Sequence, residues 1–198
     1  GNWMEPAVFA VVLPELELLK EEERFEKIRK IIDALPSGME NLPVRLAALL
    51  EPLGEAGTRK ALKRLRCSNV KIDETATLVK ESGLAPEPEN LRLQAKRLLG
   101  RLSPEMLHRL ILLCKANQPE QAKAFEALWK EAKQLTTEHA CCRVADLAVN
   151  GRDLIAMGVQ PGWGLKRILD ALLEAVVTEQ LPNEKETLLD AAKRFSAS

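Results

Sequence analysis

The amino-acid sequence predicts an all-α fold of about ten helices with no substantial sheet. Apolar residues recur at three- and four-residue spacing almost throughout, and proline, glycine and small capping residues punctuate that spacing. Between the segments no alternating strand pattern of four or more residues survives outside Val8–Leu13. With 198 residues, 46% hydrophobic and 29% charged, the chain has an ordinary globular balance. A chain near this size hides roughly 70% of its unfolded surface, so a sizeable core is within reach.

Leu16, Leu19, Ile28, Ile31, Ile32 and Leu35 mark a first long helix, with Pro14 at its start and Pro36-Ser37-Gly38 at its end. Asn41 is placed to cap the next, which carries Val44, Leu46, Ala47, Leu49 and Leu50 and closes at Pro52 and Gly54. A helix pair over 58–66 and 70–82 turns at Cys67-Ser68-Asn69, with Asn69 as the expected cap. Gly83-Leu84-Ala85-Pro86-Glu87-Pro88 interrupts the helical pattern and sets the expected boundary between a body-like region, 1–83, and a tail-like region, 84–198. Both halves could still share one core. Ser103-Pro104-Glu105 opens a helix to about Ala116, and Pro119 opens another to about Thr136. Residues 143–180 hold two shorter helices around Gly158–Gly164, so 152–178 reads as a helix-turn-helix hairpin. Asn183 is placed to cap a last helix ending near Phe195. No self-similar period of a solenoid is present.

Composition narrows the function. No apolar run approaches the ~20 residues of a membrane span, so no membrane partner is expected. The opening residues lack the basic-then-apolar order of a secretory leader. Gly1 precedes Met4, and the start is expected to be a boundary inside a longer chain. Cys67, Cys114, Cys141 and Cys142 form no C-x-x-C, which fits a reducing, cytoplasmic setting. Lysine plus arginine, 29, balance aspartate plus glutamate, 29, which excludes a uniformly basic nucleic-acid coat. Neutrality hides a dipolar chain. Residues 1–55 carry six basic and eleven acidic groups, whereas 59–101 carry eleven basic and five acidic.

Catalytic signatures are missing from the residues present. There is no phosphate-cradling P-loop pattern, no G-x-S-x-G and no H-E-x-x-H. His139, Cys141 and Cys142 lie close in sequence, but adjacent cysteines rarely reach one tetrahedral ion and no fourth ligand stands nearby. Neither a metal nor a catalytic residue is expected. Glu21-Glu22-Glu23 reads as a solvated face.

Two segments rise above this background. Arg59-Lys60-Ala61-Leu62-Lys63-Arg64-Leu65-Arg66, followed by Lys71, meets no acidic residue between 56 and 72. A helix burying Leu62 and Leu65 presents Lys60, Lys63 and Arg64 elsewhere, where they can meet phosphates or simply solubilise a surface. The second runs from Asp153 to Leu169 across Gly158-Val159-Gln160-Pro161-Gly162-Trp163-Gly164. Gly162 and Gly164 leave N–H groups accessible at the second helix start, and Lys166 and Arg167 in its first turns oppose the helix dipole unless an anion or acid compensates. The arrangement resembles the helix-hairpin-helix that grips a nucleic-acid backbone without reading sequence. A plain corner between two helices has the same pattern.

Residues 144–194 are similar to the C-terminal end of class II tRNA nucleotidyltransferases, the bacterial CCA-adding enzymes and poly(A) polymerases. The resemblance is carried by Asn150-Gly151-Arg152-Asp153-Leu154, Gly158-Val159-Gln160-Pro161-Gly162, Ile168-Leu169 with Leu172-Leu173, and Leu181-Pro182-Asn183-Glu184. Upstream, Phe9–Leu16 ending Leu13-Pro14-Glu15-Leu16, the helix Leu46-Ala47-Ala48-Leu49-Leu50, and Leu62–Asn69 resemble the family's body. Two departures matter. Where family members often carry His-Asp, this chain has Glu51-Pro52-Leu53-Gly54-Glu55, which removes the ligands of a metal phosphohydrolase. The head's Gly-Ser pair and Asp-x-Asp carboxylates, and the neck's Glu-Asp-x-x-Arg motif, have no counterpart in residues 1–198.

The resemblance therefore implies an RNA-binding body and tail, holding tRNA for a nucleotidyltransferase head in cis. This chain alone is expected not to polymerise nucleotides; the parent would use Mg²⁺ with ATP or CTP. The expected phosphate-binding residues are Arg59, Lys60, Lys63 and Arg64 on the body, and Arg152, Gly162, Gly164, Lys166 and Arg167 on the tail. The alternative is a helical protein-interaction module that kept the fold and lost RNA binding. Scarce aromatic residues favour it, because single strands stack on aromatic platforms.

Overall fold

The computed structural model describes residues 22–197. Among them the chain is α-helix joined by short 3-10 turns, with no strand. The helices are α1 (Glu22–Ala34), α2 (Leu42–Leu50), α3 (Gly54–Arg64), α4 (Asn69–Glu81), α5 (Leu91–Arg101), α6 (Pro104–Asn117), α7 (Ala122–Thr137), α8 (Gly151–Ala156), α9 (Trp163–Val177) and α10 (Lys185–Ser196). The helix start expected at Pro14, the stretch Val8–Leu13 and the segment ending Leu13-Pro14-Glu15-Leu16 lie outside the described residues. Two compact units form: one from the described residues up to Pro86 with Glu105–Glu126, the other from Glu87–Pro104 with the residues from Ala127 onward.

In the first unit α1 buries Phe25, Ile28, Ile32 and Leu35, a stripe at three- and four-residue spacing. Helix α2 is almost wholly buried through Val44, Ala47, Leu49 and Leu50, and it packs on α4. Its capping differs from the sequence expectation. The Asn41 side chain donates to the Ser37 carbonyl, 3.0 Å, and caps no helical N–H. Helix α3 buries only Thr58, Ala61 and Leu62, which leaves the rest of its surface to charged residues. The cap of α4 is also corrected: Ser68, in extended conformation, accepts from the Lys71 N–H at 3.3 Å, and Asn69 is the first helical residue. A serine oxygen one bond from Cβ reaches that N–H only from the residue preceding the first turn. Cys114 of α6 lies fully buried with its thiol donating to the Ser82 carbonyl. Burial pushes that thiol up to about 12.

The second unit is built around Leu147, Val149, Leu154, Ile168, Leu172, Leu188, Ala191 and Ala192, contributed by α8, α9, α10 and the turn before them. Each leucine, isoleucine or valine side chain among them contributes roughly 1.5–3 kcal/mol when withdrawn from water. Helix α5, which follows the Gly83–Pro88 break with no side-chain cap, adds Ala95, Leu98 and Leu99 to the buried set. Two basic side chains finish helices here. Arg143 donates from Nε to the Leu99 carbonyl and from Nη2 to the Leu102 carbonyl, both 2.9 Å, at the end of α5. Lys96, only 6% exposed, donates from Nζ to the Val177 carbonyl at the end of α9, 3.1 Å, and to Glu179 Oε1, 3.0 Å. Both carbonyl sets lie in the last turn, where a helix has no N–H of its own to offer.

Helices α3, α7 and α9 all end with the two backbone hydrogen bonds of a Schellman turn, on Arg66, His139 and Glu179. Each of these residues has φ between 53° and 61°, a region glycine usually fills. His139 is thus the terminator of α7, and among the described residues no group of three or more His, Cys, Asp or Glu is placed to hold a metal ion. The four cysteines are unpaired. No described helix is long and apolar enough to cross a membrane.

Candidate functional site

The tail hairpin is assembled from its ends inward. Asn150 caps α8, its Oδ1 accepting from the N–H groups of Arg152, 2.9 Å, and Asp153, 3.1 Å. Asp153 returns the contact by accepting from the Asn150 N–H at 3.0 Å, which closes a capping box. That hydrogen bond and the Lys185 ammonium, 3.0 Å away, hold the Asp153 carboxyl below the usual carboxylate range. Leu154 points fully into the core. Gly158, with φ 104°, then ends α8: its N–H and that of Val159 bond back to the Ile155 and Leu154 carbonyls, both 3.0 Å. Gly162, with φ 116°, stands at the start of α9, and no side chain caps that helix.

Asn183 holds the approach to this hairpin. Its Oδ1 accepts from the Ala148 N–H, 2.8 Å, and its Nδ2 donates to the Asp146 carbonyl, 2.9 Å. The last helix starts instead behind Glu184, without a side-chain cap. This corrects the expected cap role of Asn183: an amide with both a donor and an acceptor bridges two backbone groups of a distant turn.

The surface of the hairpin carries the residues singled out in the sequence. Arg152, Gly162, Gly164, Lys166 and Arg167 are all exposed, and the structure gathers them on one hairpin. Among the described residues Arg152, Lys166 and Arg167 have no carboxylate partner. No acidic residue occurs between Leu154 and Leu169. Beside the turn opens a groove of about 670 Å³, lined in part by Gly158, Gly164 and Arg167. A backbone amide array without a capping side chain, flanked by cations that have no carboxylate partner among the described residues, has the chemistry that suits phosphate oxygens.

The body strip is less uniform than its sequence. Lys60, Lys63 and Arg64 are exposed on α3, as expected. Arg59 is partly spent: its guanidinium bonds Asp73 of α4 at 2.5 Å and Glu55 one helical turn earlier at 3.5 Å. Those carboxylates hold the Arg59 pKa above its ordinary value, the Asp73 hydrogen bond most of all. Among the described residues Lys60 and Lys63 have no such partner. Leu65, expected inside, is 42% exposed, because α3 ends at Arg64 and the left-handed Arg66 carries the chain away.

Sequence reasoning missed one residue of this surface. Trp163, the first residue of α9, is 75% exposed, and the Lys166 ammonium lies 5.5 Å from its ring centroid. The signal was its i, i+3 spacing to a lysine immediately after a Pro-Gly turn. Among the described residues no group of three or more His, Cys, Asp or Glu is placed to hold the Mg²⁺ that the resemblance implies for the parent.

A family model for tRNA nucleotidyltransferase domain 2 matches residues 44–192. The chain is 31% identical over 168 residues to the CCA-adding enzyme of Lactiplantibacillus plantarum, covering 83% of this chain and 38% of that protein. It is 32% identical over 151 residues to the CCA-adding enzyme of Geobacillus thermodenitrificans, covering 73% and 34%. A shorter stretch of 45 residues is 58% identical to the CCA-adding enzyme of Levilactobacillus brevis, covering 23% and 11%. The chain spans well under half the length of these relatives. No solved structure matches it.

Proposed function

Because this chain belongs to the tRNA nucleotidyltransferase family, matching its domain 2 over residues 44–192, we propose that it is the RNA-holding body and tail of such a protein. Its substrate is tRNA, gripped on the acceptor and T-arm side so that the 3′ end reaches a nucleotidyltransferase head in cis. That head would bring the Mg²⁺ and the ATP or CTP, and the whole would work in the cytoplasm, where free cysteines persist.

The observation that carries this reading is the hairpin: exposed Lys166 and Arg167, without a carboxylate partner among the described residues, beside an uncapped helix start within the family-matched segment. Arg152, Gly162 and Gly164 would join them in contacting phosphates. On the body Lys60, Lys63 and Arg64 would do the same, with Arg59 contributing only as far as it leaves Asp73 and Glu55. Phosphate contacts position an RNA without reading its bases, so sequence changes in the RNA should matter little.

The test is binding of the full chain to tRNA lacking its 3′ end, measured by fluorescence anisotropy over a salt series. Lys166→Glu with Arg167→Glu, and separately Lys60→Glu with Lys63→Glu, should weaken binding. Each should shallow the salt slope by about one per lost contact. The same preparations should incorporate no labelled ATP or CTP. Unchanged affinity in both double variants at low salt, with the helical signal intact, would reject RNA holding and leave the protein-interaction reading.

A further inference from the structure

We propose that Trp163 is a stacking platform for an unpaired RNA base, with Lys166 meeting the phosphate beside that base; this rests on the RNA-holding reading above. Tryptophan is largely withdrawn from water in most folded chains, since its ring offers the largest apolar surface of any side chain. Here the ring is 75% exposed at the first position of α9. Leu165 and Ile168 on the same helix pack into the unit's apolar cluster, while the Trp163 ring faces solvent. Lys166, one turn on, lies over the ring at 5.5 Å, which fixes a cation beside the aromatic face.

Charge decides what the ring can receive. No carboxylate occurs from Leu154 to Leu169, and among the described residues Lys166 and Arg167 have no acidic partner. The exposed indole therefore stands beside the Lys166 ammonium and next to the N–H groups of an uncapped helix. An occupant must bring a planar apolar face and a negative charge within a few ångströms of each other. An unpaired nucleotide has both, the base for the ring and its phosphate for Lys166. A base-paired stretch offers the phosphate but keeps its base faces stacked internally. An apolar protein surface offers the face but strands the cations. The groove beside the turn, lined by Gln160, Arg167, Phe195 and Ser196, has room for the sugar and phosphate that follow.

The experiment compares the full chain binding a short RNA hairpin with an unpaired loop and a blunt RNA duplex of equal charge, at low salt. Wild-type protein should prefer the hairpin. Trp163→Ala should weaken hairpin binding by about 5- to 150-fold and leave duplex binding within about twofold, the range expected when one stacked base is lost. Trp163→Phe should restore most of the preference, because any aromatic face can stack. Both variants should keep the wild-type circular dichroism, the ring being exposed. Equal affinities of Trp163→Ala and wild type for the hairpin would overturn the platform while leaving RNA holding intact. So would equal losses on both RNAs, or a Trp163→Ala effect confined to self-association in sedimentation. Wild-type protein that binds neither RNA would overturn both readings.

Discussion

Replacing the buried lysine of α5 tests how the tail hairpin is held in place. Lys96 donates to the Val177 carbonyl and to Glu179, and its side chain is 8% exposed where that of Glu179 is 70% exposed. Lys96→Met keeps an unbranched stem of similar length and deletes the ammonium. The Glu179 carboxylate, left in water, loses little, since exposed ion pairs are weak. The Val177 carbonyl is different, because it is buried at a helix end with no N–H to replace the lost donor. An orphaned buried acceptor costs about 1–3 kcal/mol, and losing a cation at a partly buried helix C-terminus costs up to about 2 kcal/mol more. Removing a buried charge returns part of this as relieved desolvation. The net expectation is a loss of about 1–2 kcal/mol, or roughly 2–8 °C in Tm for a chain of this length. Thermal melts followed by circular dichroism would measure it, with Glu179→Gln as the control that should change little. A Lys96→Met protein as stable as wild type would show that desolvation outweighs the carbonyl. A Glu179→Gln loss matching that of Lys96→Met would assign the effect to the ion pair, and either result refutes the reasoning.

Two further outcomes follow from the titrating groups. The Asp153 carboxyl is held low by the Asn150 N–H and Lys185, so its contribution to stability is present above the unfolded value near 3.9 and is lost as pH falls through the lower folded value. Asp153→Asn should therefore be less stable than wild type at neutral pH, with the gap closing as denaturation is measured from about pH 5 to below 4; a gap independent of pH would refute this. Burial pushes the Cys114 thiol up to about 12 and, with Asp146 nearby, the Cys141 thiol up to about 11. At pH 8 both should alkylate at least roughly a hundredfold more slowly than a cysteine peptide, since the thiolate is the reacting form. Mass spectrometry of timed iodoacetamide reactions checks this, and rapid labelling of either would refute it.

What the sequence disclosed divides by the range of the interaction. Gly158, Gly162 and Pro104 act on their own backbone, so the turn they form and the helices they bound were legible from residue type alone. Asn150 and Asp153 lie three apart and cap each other, which is equally local. Asn183 was misread because its partners, Ala148 and Asp146, are about 35 residues away and no local pattern announces them. The same limit hid Lys96 beneath the end of α9 and the Asp73 that occupies Arg59. Exposure of Trp163 was hidden for the opposite reason: residue type argues for burial, and only the packed core shows that Leu165 and Ile168 have taken that role.

Among the residues that carried the resemblance, Asn150, Asp153, Leu154, Gly158, Gly162 and Asn183 shape or pin the hairpin: they cap, turn, pack or bridge. The exposed side chains of Trp163, Lys166 and Arg167 stand outside that carrying set, and Arg152, within it, is exposed as well. A match on scaffold residues reports that the hairpin has its shape. Whether it holds RNA depends on the interleaved charged and aromatic side chains, which can change while every cap and turn stays. Variants of those residues test function, whereas variants of Asn150 or Asn183 test whether the hairpin forms.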